Sequence, residues 1–156
     1  MREVNLTSND IADLSSQIIL NGGSFCFKAR GWSMYPFIRD GDVLTVQQAN
    51  PSTLRTGDVI FYRTGNNRTV AHRIISKKYQ NNHVMLFLRG DSMFGSDGWI
   101  QSEQIIGQVT SLQRGQKVMR LTRGFLNRIM KLWVRIHPIG PLSIRIAVKV
   151  RQLFSQ

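Results

Sequence analysis

Ser33 lies in the stretch RGWSMYPFIRDGD, residues 30–42, between a tryptophan and a methionine and just ahead of Pro36. A serine hydroxyl is almost wholly protonated near neutral pH and becomes a nucleophile only when a base stands within hydrogen-bond reach. Three histidines could serve. His83 follows YQNN at 79–82 and reads as a solvated strand residue, while His137 precedes Pro138 at a helix end, where positive charge suits the helix dipole. His72 differs: it sits in TVAHRII among Val70, Ala71, Ile74 and Ile75, and a histidine set in an apolar strand wall is what a general base requires. A carboxylate must then orient the imidazole. RGDSMFGSDGW at 89–99 offers two, Asp91 and Asp97, in a glycine-rich loop after a β run. Nucleophile, base and carboxylate together would perform acyl transfer. Taken singly, each has a structural reading too: a turn serine, a half-buried histidine, aspartates closing Asx turns.

The elements that must bring these residues together are legible from periodicity. Ser8, Asn9 and Asp10 can cap a helix over 8–20 in which Ile11, Leu14, Ile18 and Ile19 recur at helical spacing, and Asn21-Gly22-Gly23 ends it. The period then changes to two. SFCFKARG, DVLTVQ, DVIFYR, TVAHRIIS, HVMLFLRG and IIGQVTSL are β-rich runs separated by Gly, Asn, Asp and Pro, with hairpin turns at TGNN (64–67) and YQNN. Residues 24–112 therefore read as a mainly β, compact and barrel-like antiparallel catalytic core, so that 1–112 forms one β domain with its short N-terminal helix.

Segment 113–156 has another character. All nine acidic residues lie at or before Glu103, where eleven Lys and Arg leave a balance of only +2; the other ten basic residues follow and bring the chain to +12. From Lys117 to Ile136 apolar and basic residues alternate at helical spacing, which predicts a basic amphipathic helix. Such a tail can lie on an anionic membrane surface or cover the open face of the β domain with its apolar stripe. Phe125 and Trp133 fall on that stripe and not among the basic positions, so a nucleic-acid partner is not expected. The N-terminus lacks an apolar signal core, and charges and prolines interrupt the late apolar stretch, which gives the expectation of a cytoplasmic protein touching a membrane at most peripherally. A single cysteine, Cys26, allows no internal disulfide and no zinc cluster, and its neighbours Phe25 and Phe27 mark it as a buried strand thiol. No metal or cofactor is implied.

Read in order, GWSMYPFIRDGD, LRTGDVIFYR, VAHRI, LRGDSMFGSD and IIGQV resemble the signal peptidase I family over roughly residues 24–110, closer to the archaeal and endoplasmic reticulum branch than to the common bacterial one. The resemblance implies that Ser33, in its Ser-Met-x-Pro box, is the nucleophile and that His72, in a His-Arg box, replaces the bacterial lysine as base. It also favours Asp97 over Asp91 as the orienting carboxylate, and makes Gly41-Asp42 and Gly57-Asp58 architectural turns. The sequence departs from the family at Gly31, where many members carry an oxyanion-binding serine, and at Trp32, where glycine is usual. Oxyanion stabilisation then rests on backbone N–H groups, including that of Ser33, or on a donor not identified in the sequence, with Gly31, Trp32, Ser33 and Met34 as the expected oxyanion and substrate-binding residues. The implied function is a serine endopeptidase that removes a leader or signal-like peptide from a precursor and prefers short side chains near the cut. The alternative is a peptide-binding pseudoenzyme of the same fold. A self-cleaving repressor is disfavoured, because that class uses a lysine base and a preceding helix-turn-helix domain, for which about 23 residues leave no room.

Overall fold

The computed structural model describes residues 8–122 and residue 132. Helix α1 spans Ser8–Leu20 and stops where Gly22 takes a left-handed φ of 76° and the Gly23 N–H reaches the Ile18 carbonyl at 2.9 Å. Its buried face is Ala12, Ser15 and Ile19, whereas Leu14, expected on the apolar stripe, is exposed. The small residues explain the rotation, since they let the helix lie close on the sheet. The buried Ser15 hydroxyl is satisfied by the Ala12 carbonyl at 3.1 Å, and Ile19 packs where any side chain at Gly107 would intrude.

Eight strands follow: β1 Phe25–Lys28, β2 Val43–Gln47, β3 Val59–Arg63, β4 Thr69–Gln80, β5 His83–Arg89, β6 Gly98–Gln101, β7 Ile105–Arg114 and β8 Lys117–Arg120. They form one antiparallel sheet in the order β1-β2-β7-β3-β4-β5-β6, with β8 also pairing β7. The expected mainly β architecture is what forms, but the sheet stays open, with β1 and β6 at its two ends, and does not close into a barrel. β3 is buried on both faces. Val59 and Phe61 join one apolar cluster with Leu44, Val46 and Ile19, while Ile60 and Tyr62 join another with Ile74, Leu86 and Leu88. Asn81 and Asn82, both at positive φ, make the two-residue turn between β4 and β5.

Two further sequence expectations are corrected. Lys117–Arg120, read as the opening turn of the amphipathic helix, is strand β8, because Val118 and Met119 pair with Gln113 and Leu112 of β7. Leu121 and Thr122 are not helical either, Leu121 being buried in the core with its N–H on the Thr110 carbonyl at 2.8 Å; the rest of that helix, His137 and the late alternating stretch lie outside the described residues, apart from Leu132. Cys26 is exposed and not buried: period-two alternation turns Phe25 and Phe27 inward and Cys26 outward, against the Thr45 hydroxyl at 3.7 Å. No helix among the described residues is long and apolar enough to cross a membrane.

Two copies of one turn set up β2 and β3. In Arg39-Asp40-Gly41-Asp42 and Arg55-Thr56-Gly57-Asp58 the glycine adopts φ of 89° and 97°, and each aspartate accepts the arginine N–H, at 2.8 and 2.9 Å. Asp42 also receives the Arg114 guanidinium through both oxygens, at 2.8 and 2.7 Å. Burial pulls the Asp42 carboxyl upward, but the Arg114 hydrogen bond, the Arg39 N–H and the two guanidinium charges outweigh it and hold the group below its ordinary value. A depressed folded-state value contributes stability that is complete above the unfolded value near 3.8 and is lost as pH falls through the folded one. Asp42→Asn is therefore expected to lower Tm at neutral pH, with the gap to wild type closing as melts are taken below about pH 4. A gap independent of pH would contradict this account.

Candidate active site

The turn carrying Ser33 is built from its own backbone. The Tyr35 N–H reaches the Trp32 carbonyl at 3.0 Å, the Ile38 N–H reaches Met34 at 3.0 Å, the Tyr35–Pro36 peptide is cis, and Gly31 at φ 86° donates to Asp40 at 2.8 Å. Met34 is buried and anchors the turn in the core, leaving Ser33 half-buried above it. A second loop, between β5 and β6, is latched directly onto this turn. Ser92 donates its N–H to the Ser33 carbonyl at 2.9 Å and its hydroxyl to the Trp32 carbonyl at 2.7 Å. Gly90 is required for that approach, because a Cβ there would stand 2.6 Å from the Ser33 carbonyl oxygen.

This latch brings Asp97, at the foot of β6, to His72 on β4. The Nδ1 of His72 lies 2.6 Å from Asp97 Oδ2 and its Nε2 lies 3.1 Å from Ser33 Oγ. With a neutral ring, the Nδ1–H donates to the carboxylate and Nε2 accepts from the serine hydroxyl, so the three expected residues form one continuous chain. His72 is 7% exposed. Asp91, the other carboxylate of the loop, does not face the imidazole. It is buried in a bidentate pair with the fully buried Arg73, at 2.6 and 2.5 Å, and Arg73 also donates to the Gly57 carbonyl at 2.8 Å. Asp91 thus ties the loop to β4 and to the β3 turn, while Asp97 meets the histidine.

Other residues at the site were not singled out from the sequence. The Tyr62 ring is tilted against His72 at 6.5 Å, and its buried hydroxyl sits beside Asp97, short of good hydrogen-bond geometry. Burial first, then the Asp97 charge, pushes the phenol far above its ordinary range, so it remains a neutral donor. Only register reveals it, since Ile60 pairs with His72 and Tyr62 shares the Ile60 face of β3. Ser92 carried no signal beyond its glycine-rich loop. His83 is exposed near Glu103, as its position after a turn implied. Lys77 is held by the carbonyls of Pro51, Ser52 and Leu54. Among the described residues no cluster of His, Cys, Asp and Glu could hold a metal ion.

Ser33 also contributes to the wall of a cleft of about 820 Å³. Its lining includes β1 and Thr69–Ala71 of β4. Among the described residues neither of these edges has a further strand partner: β1 ends the sheet, and β5 begins pairing with β4 only at Arg73. A family model described as Peptidase S24-like matches residues 3–80, half of the chain, which takes in Ser33, His72 and both cleft edges. No curated protein matches.

Proposed function

Since the chain belongs to the Peptidase S24-like family, we propose that it is a serine endopeptidase of the signal peptidase kind, with histidine as its base. What carries the reading is the unbroken path of hydrogen bonds from Asp97 through His72 to Ser33. A precursor peptide lies extended along the free edges of β1 and β4, which supply backbone hydrogen bonds. Ser33 Oγ attacks the scissile carbonyl as its proton passes to His72 Nε2, and the imidazolium is stabilised by Asp97. The C–N bond then breaks, His72 returns the proton to the leaving amine, and an acyl-serine remains. Water, deprotonated by His72, attacks the ester and releases the acid, restoring Ser33. Among the described residues the Ser33 N–H donates to no backbone carbonyl, so it is available to the oxyanion, whose side-chain donor is missing at Gly31.

A serine-reactive fluorophosphonate tests this reading. Wild-type protein is expected to gain the probe on Ser33, located by peptide mass spectrometry, while Ser33→Ala and His72→Ala remain unmodified. Equal labelling of wild type and variants, or none at all, would leave a peptide-binding protein of the same fold.

A further inference from the structure

The cleft beside Ser33 is not shaped for short side chains. Its floor is a group of three rings, with Phe25–Phe27, Phe25–Phe61 and Phe27–Phe61 centroids 6.0, 6.3 and 4.7 Å apart, continued by Ile38 and Leu44. Phe25, Phe27 and Ala71 are only half-buried, so apolar surface remains open to an incoming chain. Three lining positions carry at most a methyl group. These are Ala29, Ala71 and Gly31, and beyond its chain neighbours nothing among the described residues lies within 4 Å of where a Gly31 Cβ would be. The lining includes two exposed cations, Lys28 and Arg30, and no carboxylate.

An extended peptide presents alternate side chains to one face. Laid along β1 and Thr69–Ala71, it directs every second side chain onto the aromatic floor, and alanine there would leave that apolar surface unfilled. We infer that the substrate segment in this cleft carries bulky aliphatic or aromatic side chains at alternate positions and acidic residues beside them, in place of the short side chains that the signal peptidase resemblance implies. The inference rests on the reading of this cleft as the peptide site.

Binding separates the preference from catalysis. Three fluorescent peptides would be titrated against Ser33→Ala, which cannot turn them over: one with alanine at alternate positions, one with leucine and phenylalanine there, and one with the bulky residues flanked by glutamate. Fluorescence anisotropy is expected to show the bulky peptide binding about tenfold or more tighter than the alanine one. The glutamates should tighten binding further, and that added gain should fade in molar salt. Ala71→Leu and Ala29→Leu, made separately on the Ser33→Ala background and checked by thermal melts so that one folded variant suffices, should each erase most of the size preference by filling the space. Equal or tighter binding of the alanine peptide overturns the inference while leaving the probe chemistry of Ser33 untouched. Conversely, failure of the probe experiment removes the catalytic reading without altering the order of these affinities.

Discussion

Asp97→Asn is expected to lower peptide hydrolysis by about 10⁴-fold while leaving the fold intact. The carboxylate accepts from His72 Nδ1 at 2.6 Å, and an asparagine can imitate its shape but not its part in the exchange. Its amide NH₂ would turn toward Nδ1 and donate, forcing the ring into the tautomer whose proton sits on Nε2. Nε2 then confronts Ser33 Oγ with a hydrogen and cannot take the hydroxyl proton. The counter-charge for the imidazolium is lost as well. Since the Asp97 side chain is 27% exposed, the substitution leaves no sealed charge behind. Single-turnover rates with a cleavable peptide, alongside a melting curve close to that of wild type, check the expectation. A variant within tenfold of wild type would remove Asp97 from the reaction.

Asp91→Asn should fail for the opposite reason. Arg73 is 0% exposed and Asp91 3%, and both carboxylate oxygens meet the guanidinium. Neutralising the acid strands a cation out of reach of water, an error that typically costs about 3–5 kcal/mol. Against a total stability of about 5–15 kcal/mol, this is a large share. The expected outcome is a fall in Tm of roughly 10–20 °C, seen by circular dichroism and by a matching drop in the urea midpoint. Activity of whatever protein stays folded at low temperature should decline far less than in Asp97→Asn. A Tm shift below about 3 °C would mean that the buried pair holds little. The two aspartates, six positions apart in one loop, are thus expected to separate in these measurements into a reaction partner and an anchor.

Much of the site was readable because its members lie in short local boxes. Ser33 stands before Pro36, His72 before Arg73, and the two aspartates in one glycine-rich loop. Which aspartate meets the histidine was not decidable from the residues themselves, since both could close Asx turns; it depends on Arg73 claiming Asp91 across the sheet. Six of the eight described strands were legible from period-two alternation, β6 being read as loop and β8 as helix, but their order was not, because pairing β7 between β2 and β3 joins residues about 43 to 70 positions apart. Tyr62 was hidden for the same cause: DVIFYR reads as ordinary core, and only the register with β4 puts its ring beside His72. On α1 the expected Ile19 is buried against Gly107 and Ile11 packs on the core, but Leu14 is exposed, its expected place on the buried face being taken by the small Ala12 and Ser15. The open cleft edges follow from pairings that stop at Arg73, which no local pattern announces.

β7 pairs with β2, β3 and β8, and among the described residues β2 has no other strand pairing except with β1. During synthesis Ser33, His72 and Asp97 have all been translated by residue 97, yet the strand that joins their two halves of the sheet is complete only at Arg114. A ribosome-bound chain short of that point lacks the backbone ladder between β1–β2 and β3–β6, so that the Ser92 latch and the core packing alone hold Ser33 near His72. The candidate site therefore gains its complete backbone frame only late in elongation.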